Sequence, residues 1–362
     1  MTATSLLPAP ERTASLAATK RRSAELEAEI TADPGRFRVL TGDRPTGPLH
    51  LGHYFGTLAT RVALQQAGVA MTVLVADYQV LTDRDSADQL PEHILGLVAD
   101  YLAAGIDPAR ATIFAHSAVP ALNQLMLPLL SLVSVPELTR NPTVKDEIAH
   151  SGQASVSGLM LTYPVHQAAD ILFGRANVVP VGQDQLPHLE VARTIARRFN
   201  ERHGGGLEFF PLPEALLSAA PNLLGTDGTK MSKSRHNAIA LSATPDETFR
   251  LIRAARTDAR RDISYEPAAR PEVSSLVLLA ALCTGRDPAQ VAAEIGGGAA
   301  ELKQVVTEAV NDRFRPLRSR RAELAADPGY LRSVLRDGNA RAAATASSTL
   351  AEVHALMDMG NY

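Results

Sequence analysis

Short apolar runs alternate with longer amphipathic stretches over the first two thirds of the chain. Residues 71–76 form an almost continuous apolar run, which is typical of a parallel strand covered on both faces. Other short segments that look like strands lie at residues 36–40, 111–115 and 178–181. Segments with helical periodicity lie at residues 49–67, 87–104 and 185–203. This alternation predicts an α/β fold built on an open, doubly wound parallel sheet with helices on both faces, a Rossmann-like architecture.

The remaining parts of the chain are helical in pattern. Residues 119–174 interrupt the alternation and are predicted to be a helical insertion. We predict a Rossmann domain over residues 35–242 and an α-helical C-terminal domain over residues 243–362. Residues 1–34 are predicted to be a flexible N-terminal extension with one helical stretch. The periodic segments of the last third are residues 244–255, 272–283, 301–325 and 339–359.

Composition adds few constraints. A chain of 362 residues suits a large domain with a smaller second one. The net charge of −3 gives no sign of a nucleic-acid binder, so any RNA contact must come from local basic patches. Cys283 is the single cysteine, which excludes an internal disulfide and fits a reducing compartment. No stretch reaches the roughly 20 apolar residues of a membrane span. Because the N-terminus also lacks the features of a targeting peptide, the expected location is the cytoplasm.

Residues 41–54 read Thr-Gly-Asp-Arg-Pro-Thr-Gly-Pro-Leu-His-Leu-Gly-His-Tyr. Glycines and prolines at this point predict a tight turn from a strand into a helix. His50 and His53 then lie at the positive end of the helix dipole, where a phosphate binds favourably. Gly52 has no Cβ and lets a ligand approach the backbone. An isolated pair of histidines at this spacing is more often solvated, so the context carries the prediction.

A second polar motif, Lys230-Met-Ser-Lys-Ser, follows the turn-rich residues 225–229. Two lysines and two hydroxyls on a mobile loop suit the stabilisation of charge that develops on a departing pyrophosphate. A solvated surface loop has the same composition. Together, and in this order, the two motifs predict a site that binds ATP and promotes attack on its α-phosphate.

Three polar side chains share a face in the insertion. Tyr163, Gln167 and Asp170 are spaced i, i+4 and i+7, so a helix brings them together. A phenol, an amide and a carboxylate converging there suit a polar, aromatic amino acid. An ordinary polar network of a buried helix is the alternative.

These motifs resemble those of class I aminoacyl-tRNA synthetases, with His50-Leu-Gly-His53 as the HIGH motif and residues 230–234 as the KMSKS motif. Residues 161–172, 179–190 and 196–200 resemble tryptophanyl-tRNA synthetases closely, above all Val-Pro-Val-Gly-Gln-Asp-Gln. The likeness covers most of residues 36–362. The segment Thr-Gly-Asp-Arg-Pro-Thr-Gly is similar to a divergent bacterial branch of that family.

The resemblance implies that the protein activates L-tryptophan with ATP and Mg²⁺ and transfers it to tRNA(Trp), as a cytoplasmic homodimer. It assigns catalysis to His50, His53, Lys230 and Lys233, and no dedicated protein ligand to the metal. It assigns tryptophan binding to Gln79, Tyr163, Gln167, Asp170 and Gln185, with Asp170 accepting the indole N–H. It assigns ATP binding to Arg44, Pro45, Thr46, Gly52, His53, Gly182, Gln183, Asp184, Leu223, Lys230, Met231, Ser232, Lys233 and Ser234.

Two positions depart from the common bacterial pattern. Gln167 replaces a methionine and Gln79 replaces a histidine. Tyrosyl-tRNA synthetases share the pattern Tyr-x-x-x-Gln-x-x-Asp, so a tyrosyl enzyme is one alternative. A non-catalytic paralogue that binds tryptophan or tRNA is another, although such a protein usually loses one of the phosphate motifs.

An arginine cluster lies in the predicted helical domain. These side chains either form a solvated helix face or hold tRNA backbone phosphates, and the family resemblance favours the second interpretation. Pro316, in the middle of the cluster, is predicted to start a helix. The arginines are Arg313, Arg315, Arg318, Arg320 and Arg321.

Overall fold

The computed structural model describes residues 9–82, 89–150, 156–217, 223–233 and 235–360. Its centre is a five-stranded, wholly parallel sheet with the strand order β3-β2-β1-β4-β5. This confirms the predicted doubly wound α/β fold. The strands are β1 (Arg38–Asp43), β2 (Ala70–Val75), β3 (Ala111–Ala115), β4 (Val178–Val181) and β5 (Glu214–Leu217).

Helices account for most of the other described residues. A π-helical turn, Tyr54–Leu58, joins the second and third helices, so the single helix predicted over residues 49–67 is instead a composite. No helix among the described residues is both long enough and apolar enough to cross a bilayer. The helices are α1 (Ala9–Ala32), α2 (Leu51–His53), α3 (Ala59–Ala67), α4 (Leu90–Ala104), α5 (Pro120–Leu130), α6 (Val135–Arg140), α7 (Pro142–His150), α8 (Gly158–Leu172), α9 (Leu186–His203), α10 (Pro245–Ala254), α11 (Pro271–Thr284), α12 (Pro288–Ala293), α13 (Gly298–Ala325) and α14 (Pro328–Leu356).

The sheet separates two hydrophobic layers. Successive strand residues point to opposite faces, so Val73 of β2 joins one layer and Leu74 joins the other. The first layer contains residues of α4, α11 and α13, and the second contains residues of α5, α8, α9 and α14. Since both faces are covered, the buried stretches of β1 to β4 are largely apolar, which explains why the sequence pattern revealed these four strands.

The C-terminal third is helical, as predicted, but it shares the core of the sheet. Phe314 of α13 belongs to the same hydrophobic cluster as Val73. Helix α14 lies so close to β3 that a Cβ on Gly338 would stand 1.8 Å from the Ile113 carbonyl oxygen. Asn339 Oδ1 accepts the Ala115 N–H at 3.0 Å. Helix α14 therefore covers the open edge of β3, and the helices predicted to form the C-terminal domain contribute to the same hydrophobic clusters as the sheet.

Helix α1 covers the opposite edge of the sheet. Leu26 and Ile30 are buried, and Ser23 Oγ accepts the Leu217 N–H of β5 at 2.9 Å. Arg22 forms an ion pair with Glu214 at 2.5 Å. Residues 22–30 of the predicted N-terminal extension therefore contact β5 through buried apolar side chains and two polar contacts. Residues 1–8 lie outside the described part of the chain.

Candidate active site

A cavity of about 1040 Å³ opens at the carboxyl ends of the central strands, where the chain leaves β1 and β4 toward opposite faces of the sheet. Open α/β sheets bind their ligands at such a switch point. The two sequence motifs and the polar helix face, far apart in the chain, meet here. Pro45 is not among the lining residues, and Ser234 lies outside the described residues. The predicted site residues that line the cavity are Arg44, Thr46, His50, Gly52, His53, Gln79, Tyr163, Gln167, Asp170, Gly182, Gln183, Asp184, Gln185, Leu223, Lys230, Met231, Ser232 and Lys233.

The two histidines of the HIGH motif touch each other. The backbone N–H of His50 donates to His53 Nδ1 at 3.2 Å, and the ring centroids are 3.6 Å apart. Because Nδ1 accepts this bond, the neutral His53 ring carries its proton on Nε2. A Cβ on Gly52 would stand 3.0 Å from the His50 ring and 3.5 Å from the Met231 sulfur. Glycine at this position therefore lets the imidazole and the KMSKS loop come together.

Both imidazoles are neutral at physiological pH. Burial, helped by the charges of His53 and Lys233, lowers the pKa of His50 to about 3. Burial also lowers the pKa of His53 to about 4, although the carboxylate of Asp43 acts in the opposite direction. The rings therefore offer N–H donors to an anion without adding positive charge, and the cationic groups of the site are its lysines and arginines.

The KMSKS loop contacts the HIGH turn directly. Lys233 Nζ donates to the Gly47 carbonyl oxygen at 2.7 Å. The segment after the loop pairs with the start of α2, since the Leu51 N–H donates to Ile239 O at 3.0 Å and the Leu241 N–H donates to Leu49 O at 2.8 Å. The two motifs therefore form one wall of the cavity, although 186 residues separate Lys233 from Gly47.

Asn237 organises the KMSKS loop, and the sequence analysis missed it. This buried side chain accepts the Ser232 N–H through Oδ1 at 2.8 Å. Its Nδ2 donates to Asp227 Oδ1 at 2.8 Å and to the Lys230 carbonyl oxygen at 3.2 Å. An amide has both a donor and an acceptor, which is what a hub between backbone groups of both kinds requires. Its position shortly after the lysine motif is the signal that was available.

A second missed group lies behind the HIGH turn. Asp43, at the end of β1, accepts from Arg61 at 2.5 Å and from the Tyr101 hydroxyl at 2.8 Å. Burial alone would raise the pKa of Asp43, but the charge and hydrogen bond of Arg61 lower it below its usual range. Arg61 and Asp43 also line the cavity. This satisfied ion pair holds the end of β1 against helices α3 and α4.

Asp170 also lines the cavity. Its Oδ1 contacts His116 Nε2 at 2.7 Å, and both side chains are almost fully buried. Its Oδ2 is buried with no hydrogen-bond partner among the described residues. A buried carboxylate oxygen without a donor is costly, so this atom is suited to accept a hydrogen bond from a bound ligand. His116 was not singled out from the sequence, but it directly follows the apolar run of β3.

Tyr163 also has a partner that the sequence analysis missed. Its hydroxyl lies 2.9 Å from His188 Nε2 on α9, and burial lowers the pKa of His188 to about 4. The neutral ring therefore fixes the phenol by a hydrogen bond. On the neighbouring loop, a Cβ on Gly182 would stand 2.6 Å from Asp184 Oδ1. A larger residue there would require the Asp184 carboxylate, which folds back over the backbone, to move.

The arginine cluster divides into two groups. Arg318 donates to Asn311 at 2.7 Å and to Thr248 at 2.9 Å, and Arg321 pairs at 2.5 Å with the fully buried Asp100. These two side chains are engaged inside the protein, which disagrees with the predicted role of binding phosphates. Helix α13 also runs through Pro316 rather than starting there. The cluster members with exposed or surface contacts are Arg313 (to Tyr54), Arg315 (to Asp312) and Arg320 (to Glu323).

Comparison with known proteins identifies the family. The model of the class I tRNA synthetases for tryptophan and tyrosine (W and Y) matches residues 33–315. The chain belongs to this family of class I tRNA synthetases. It is 41% identical over 340 residues to the tryptophan–tRNA ligase of Treponema pallidum, covering 89% of this chain and 97% of that one. It is 40% identical over 337 residues to the tryptophan–tRNA ligase of Streptococcus agalactiae, covering 90% of this chain and 98% of that one.

A solved structure of a class I tRNA synthetase extends the comparison to three dimensions. The tryptophanyl-tRNA synthetase of Campylobacter jejuni, complexed with ADP and tryptophan, superimposes with a TM-score of 0.77. The two sequences are 30% identical, and the match covers 89% of this chain and 100% of the other. The likeness therefore includes the sheet, the insertion and the C-terminal helices of this synthetase.

Proposed function

We propose that the protein activates L-tryptophan with ATP and transfers it to tRNA(Trp). The observation that carries this proposal is the single cavity with two chemically distinct ends. One end joins the HIGH turn to the lysines of the KMSKS loop, and the other end presents the unpartnered Oδ2 of Asp170. The relatives named as tryptophan–tRNA ligases at 41% and 40% identity support the same conclusion.

The first step is attack of a tryptophan carboxylate oxygen on the α-phosphorus of ATP. The bond to the bridging oxygen breaks, and pyrophosphate leaves with its electron pair. In the second step a ribose hydroxyl of the tRNA terminus attacks the carbonyl carbon, loses its proton and displaces AMP. Neither step requires a covalent bond to the protein. The protein's contribution is therefore orientation of the reactants and stabilisation of the moving charge.

Neutral hydrogen-bond donors and cationic side chains have different roles at the phosphate end. The imidazole N–H groups of His50 and His53 hydrogen-bond the phosphate region. Lys230 and Lys233 carry the positive charge that balances the departing pyrophosphate. Lys233 already contacts the HIGH turn through Gly47 O, and Lys230 lies 4.0 Å from Asp184. Both ammonium groups would exchange these contacts for the phosphate oxygens when ATP is bound.

Mg²⁺ would enter with the triphosphate and share its charge. In the described part of the chain, the group of His, Cys, Asp or Glu side chains close enough to hold a metal is His116, His166 and Asp170, at the amino-acid end. The phosphate end instead offers lysines and neutral imidazoles. These residues fit a metal that is held by phosphate oxygens and water rather than by a protein cage.

Asp170 suits an amino acid whose aromatic side chain carries a hydrogen-bond donor, as tryptophan does. A carboxylate Oδ2 without a partner accepts the indole N–H, while an analogue without this group would leave the acceptor unpaired. Tyr163, Gln167, Gln185 and Gln79 line the same region. The tyrosyl alternative rests on the Tyr, Gln and Asp spacing. The tyrosyl-tRNA synthetase structure of Archaeoglobus fulgidus is only 22% identical, so that likeness concerns the fold alone.

The assembly and the RNA contacts belong to the same proposal. Leu127 on α5 and Val135 on α6 are 70% and 61% exposed, and these apolar side chains on the insertion favour an interface between two copies of the chain. We assign anticodon binding to residues 243–362 and phosphate contacts to the surface arginines Arg313, Arg315 and Arg320. Cytoplasmic location follows from this function.

ATP–pyrophosphate exchange tests the proposal, with tryptophan and tyrosine offered separately. Exchange with tryptophan alone is expected. Lys233→Ala should slow adenylate formation by about 100- to 1,000-fold, the effect of losing one donor to a transition-state anion, with little change in tryptophan affinity. Lys20→Ala, an exposed lysine on α1, is the matched control and should behave like the wild type. Exchange with tyrosine, or an unchanged single-turnover rate in Lys233→Ala, would refute the proposal.

A further inference from the structure

A buried polar stack lies behind the carboxylate of Asp170. The rings of His116 and His166 stack with centroids 4.3 Å apart, and the ring of Tyr78 lies parallel to that of His116 at 6.3 Å. His116 is fully buried and contacts Asp170 Oδ1, while His166 Nε2 contacts Asn123 Oδ1 at 2.8 Å. Neither histidine is among the residues that line the cavity. Their effect on a ligand must therefore pass through Asp170.

Hydrogen-bond geometry fixes where the protons are. Asn123 Nδ2 donates to the carbonyl oxygens of His116 and Val119, both at 3.2 Å. The amide Oδ1 must therefore face His166, whose Nε2 donates to it. Burial lowers the pKa of His166, so this ring is the neutral Nε2–H tautomer. His116 Nε2 lies 2.7 Å from Asp170 Oδ1, a distance that requires a proton between the two atoms, and we assign this proton to the imidazole, which then donates to the carboxylate oxygen.

The same three groups have the spacing of a metal site, since their ligand atoms lie within 4.8 Å of one another. A metal would need lone pairs on both ring nitrogens that face the cluster. His166 Nε2 instead carries a proton that Asn123 accepts, and His116 Nε2 carries the proton that Asp170 accepts. Hydrogen bonds, rather than bonds to a metal, therefore hold this cluster together.

The backbone around His116 is held as firmly as its ring. Asp77, just after β2, accepts the Ser117 N–H at 3.1 Å and also the Ser117 hydroxyl. His116 itself begins a short helical turn at the carboxyl end of β3. Asn123 closes the other side of that turn. The imidazole therefore has little freedom to leave Asp170.

We propose that His116 is a positioning residue that makes Asp170 an obligate acceptor and so selects substrates carrying a ring N–H. This inference rests on the proposed tryptophan activation. The N–H of His116 occupies Oδ1 and stabilises the ionised carboxylate, which leaves Oδ2 to accept from the indole. Without this donor, no side chain among the described residues would hold Oδ1, and the carboxylate could turn so that Oδ2 no longer faces the indole N–H. A carboxylate that is not fixed in this way would discriminate less between a ring with an N–H and a ring without one.

The experiment compares tryptophan with its benzothiophene analogue, in which sulfur replaces the indole N–H. Pyrophosphate exchange gives kcat/KM for each compound, and the ratio measures selection for the ring N–H. His116→Leu should lower the ratio at least tenfold, mainly by raising KM for tryptophan. His116→Gln keeps an N–H donor and should restore most of the ratio. Thr349→Val, which removes another buried hydrogen bond (to Phe173 O) that involves neither His116 nor Asp170, controls for loss of stability and should keep the ratio.

Direct binding provides a second measurement. The protein contains no tryptophan, so the fluorescence of the bound substrate can be excited selectively and titrated. His116→Leu should weaken tryptophan binding by about tenfold and leave binding of the analogue almost unchanged. A wild-type ratio in a folded His116→Leu variant would overturn the inference. A ratio that falls equally in His116→Leu and His116→Gln would also overturn the inference, because the volume of the ring rather than its N–H donor would then matter.

The two proposals fail in different ways. If the wild-type enzyme shows no exchange with tryptophan, the proposed function fails. If the wild type is active and Asp170→Asn collapses the ratio while His116→Leu does not, the proposed function stands and the role of His116 fails. Collapse in both variants, with rescue by His116→Gln, supports both proposals.

Discussion

Replacing Arg321 tests whether this arginine is an internal support rather than an RNA contact. Its Nε donates to Asp100 Oδ1 at 2.5 Å, and Asp100 Oδ2 accepts the backbone N–H of Leu49 at 2.8 Å. Asp100 is fully buried, while the Arg321 side chain is 21% exposed. Leu49 directly precedes His50. The ion pair therefore fixes the start of the HIGH motif from a helix of the C-terminal third.

The expected cost follows from the burial of the pair. Breaking a buried ion pair on one side costs about 3–5 kcal/mol. Because Arg321 is partly exposed, we expect the lower end for Arg321→Leu, about 3 kcal/mol of unfolding free energy. Arg315 is 74% exposed and, within the described part of the chain, forms its ion pair with Asp312 in its own helix. Arg315→Leu should therefore change stability by less than about 0.5 kcal/mol.

Urea unfolding followed by circular dichroism measures the stability of both variants. Pyrophosphate exchange without tRNA measures adenylate formation, which should fall about tenfold in Arg321→Leu because the HIGH turn loses its support. Adding Asp100→Asn to Arg321→Leu should recover part of the stability, since the amide still accepts the Leu49 N–H and no charge remains buried. Normal stability and normal exchange in Arg321→Leu, combined with weaker tRNA charging, would refute this account and restore the RNA contact.

Two further predictions concern the phosphate end of the cavity. Asn237→Ala removes the hydrogen bonds that organise the KMSKS loop and should slow adenylate formation about tenfold or more. Tryptophan affinity, measured by fluorescence titration, should not change. Equal rates of adenylate formation in the variant and the wild type would contradict this role of Asn237. The lowered pKa values of His50 and His53, about 3 and 4, mean that the unfolded chain binds more protons below about pH 6.5. Stability should therefore fall between pH 7.5 and 5, by about 2 kcal/mol per imidazole. His50→Gln should show a smaller fall in urea unfolding, and an identical fall would disprove the assignment.

The sequence predicted most of the sheet because its strands are buried on both faces and therefore apolar along their whole length. β5 was missed. This strand, Glu214-Ala-Leu-Leu, is short and follows Pro211 and Pro213. Two prolines so close together are more typical of a loop than of a strand. β5 forms because β4 offers it a pairing edge, and not because its own residues have a high propensity for strands.

The close spacing of the arginines in the sequence does not show which of them face the protein interior. Arg318 and Arg321 are three residues apart, so they lie on one face of α13, and that face packs toward Thr248 and Asp100. Helix α13 continues through Pro316, so the helical register extends across the cluster and decides which arginines face inward. Counting positive charges could not separate the two groups, whereas helical spacing combined with a buried acidic partner does.

Two of the residues that the sequence analysis missed share a physical cause. Many of the predicted site residues lie near glycines, prolines or repeated lysines, and Tyr163, Gln167 and Asp170 share a helical spacing, so a local pattern marks them. Asp100 and His116 are instead single polar positions inside or just after apolar runs, Leu-Val-Ala-Asp-Tyr-Leu and Ala-Thr-Ile-Phe-Ala-His. A charge in such a run is costly unless a distant partner balances it, and here the partners are 221 and 54 residues away. An isolated polar residue in an apolar run therefore predicts a support for the site, and only the fold reveals which group it supports.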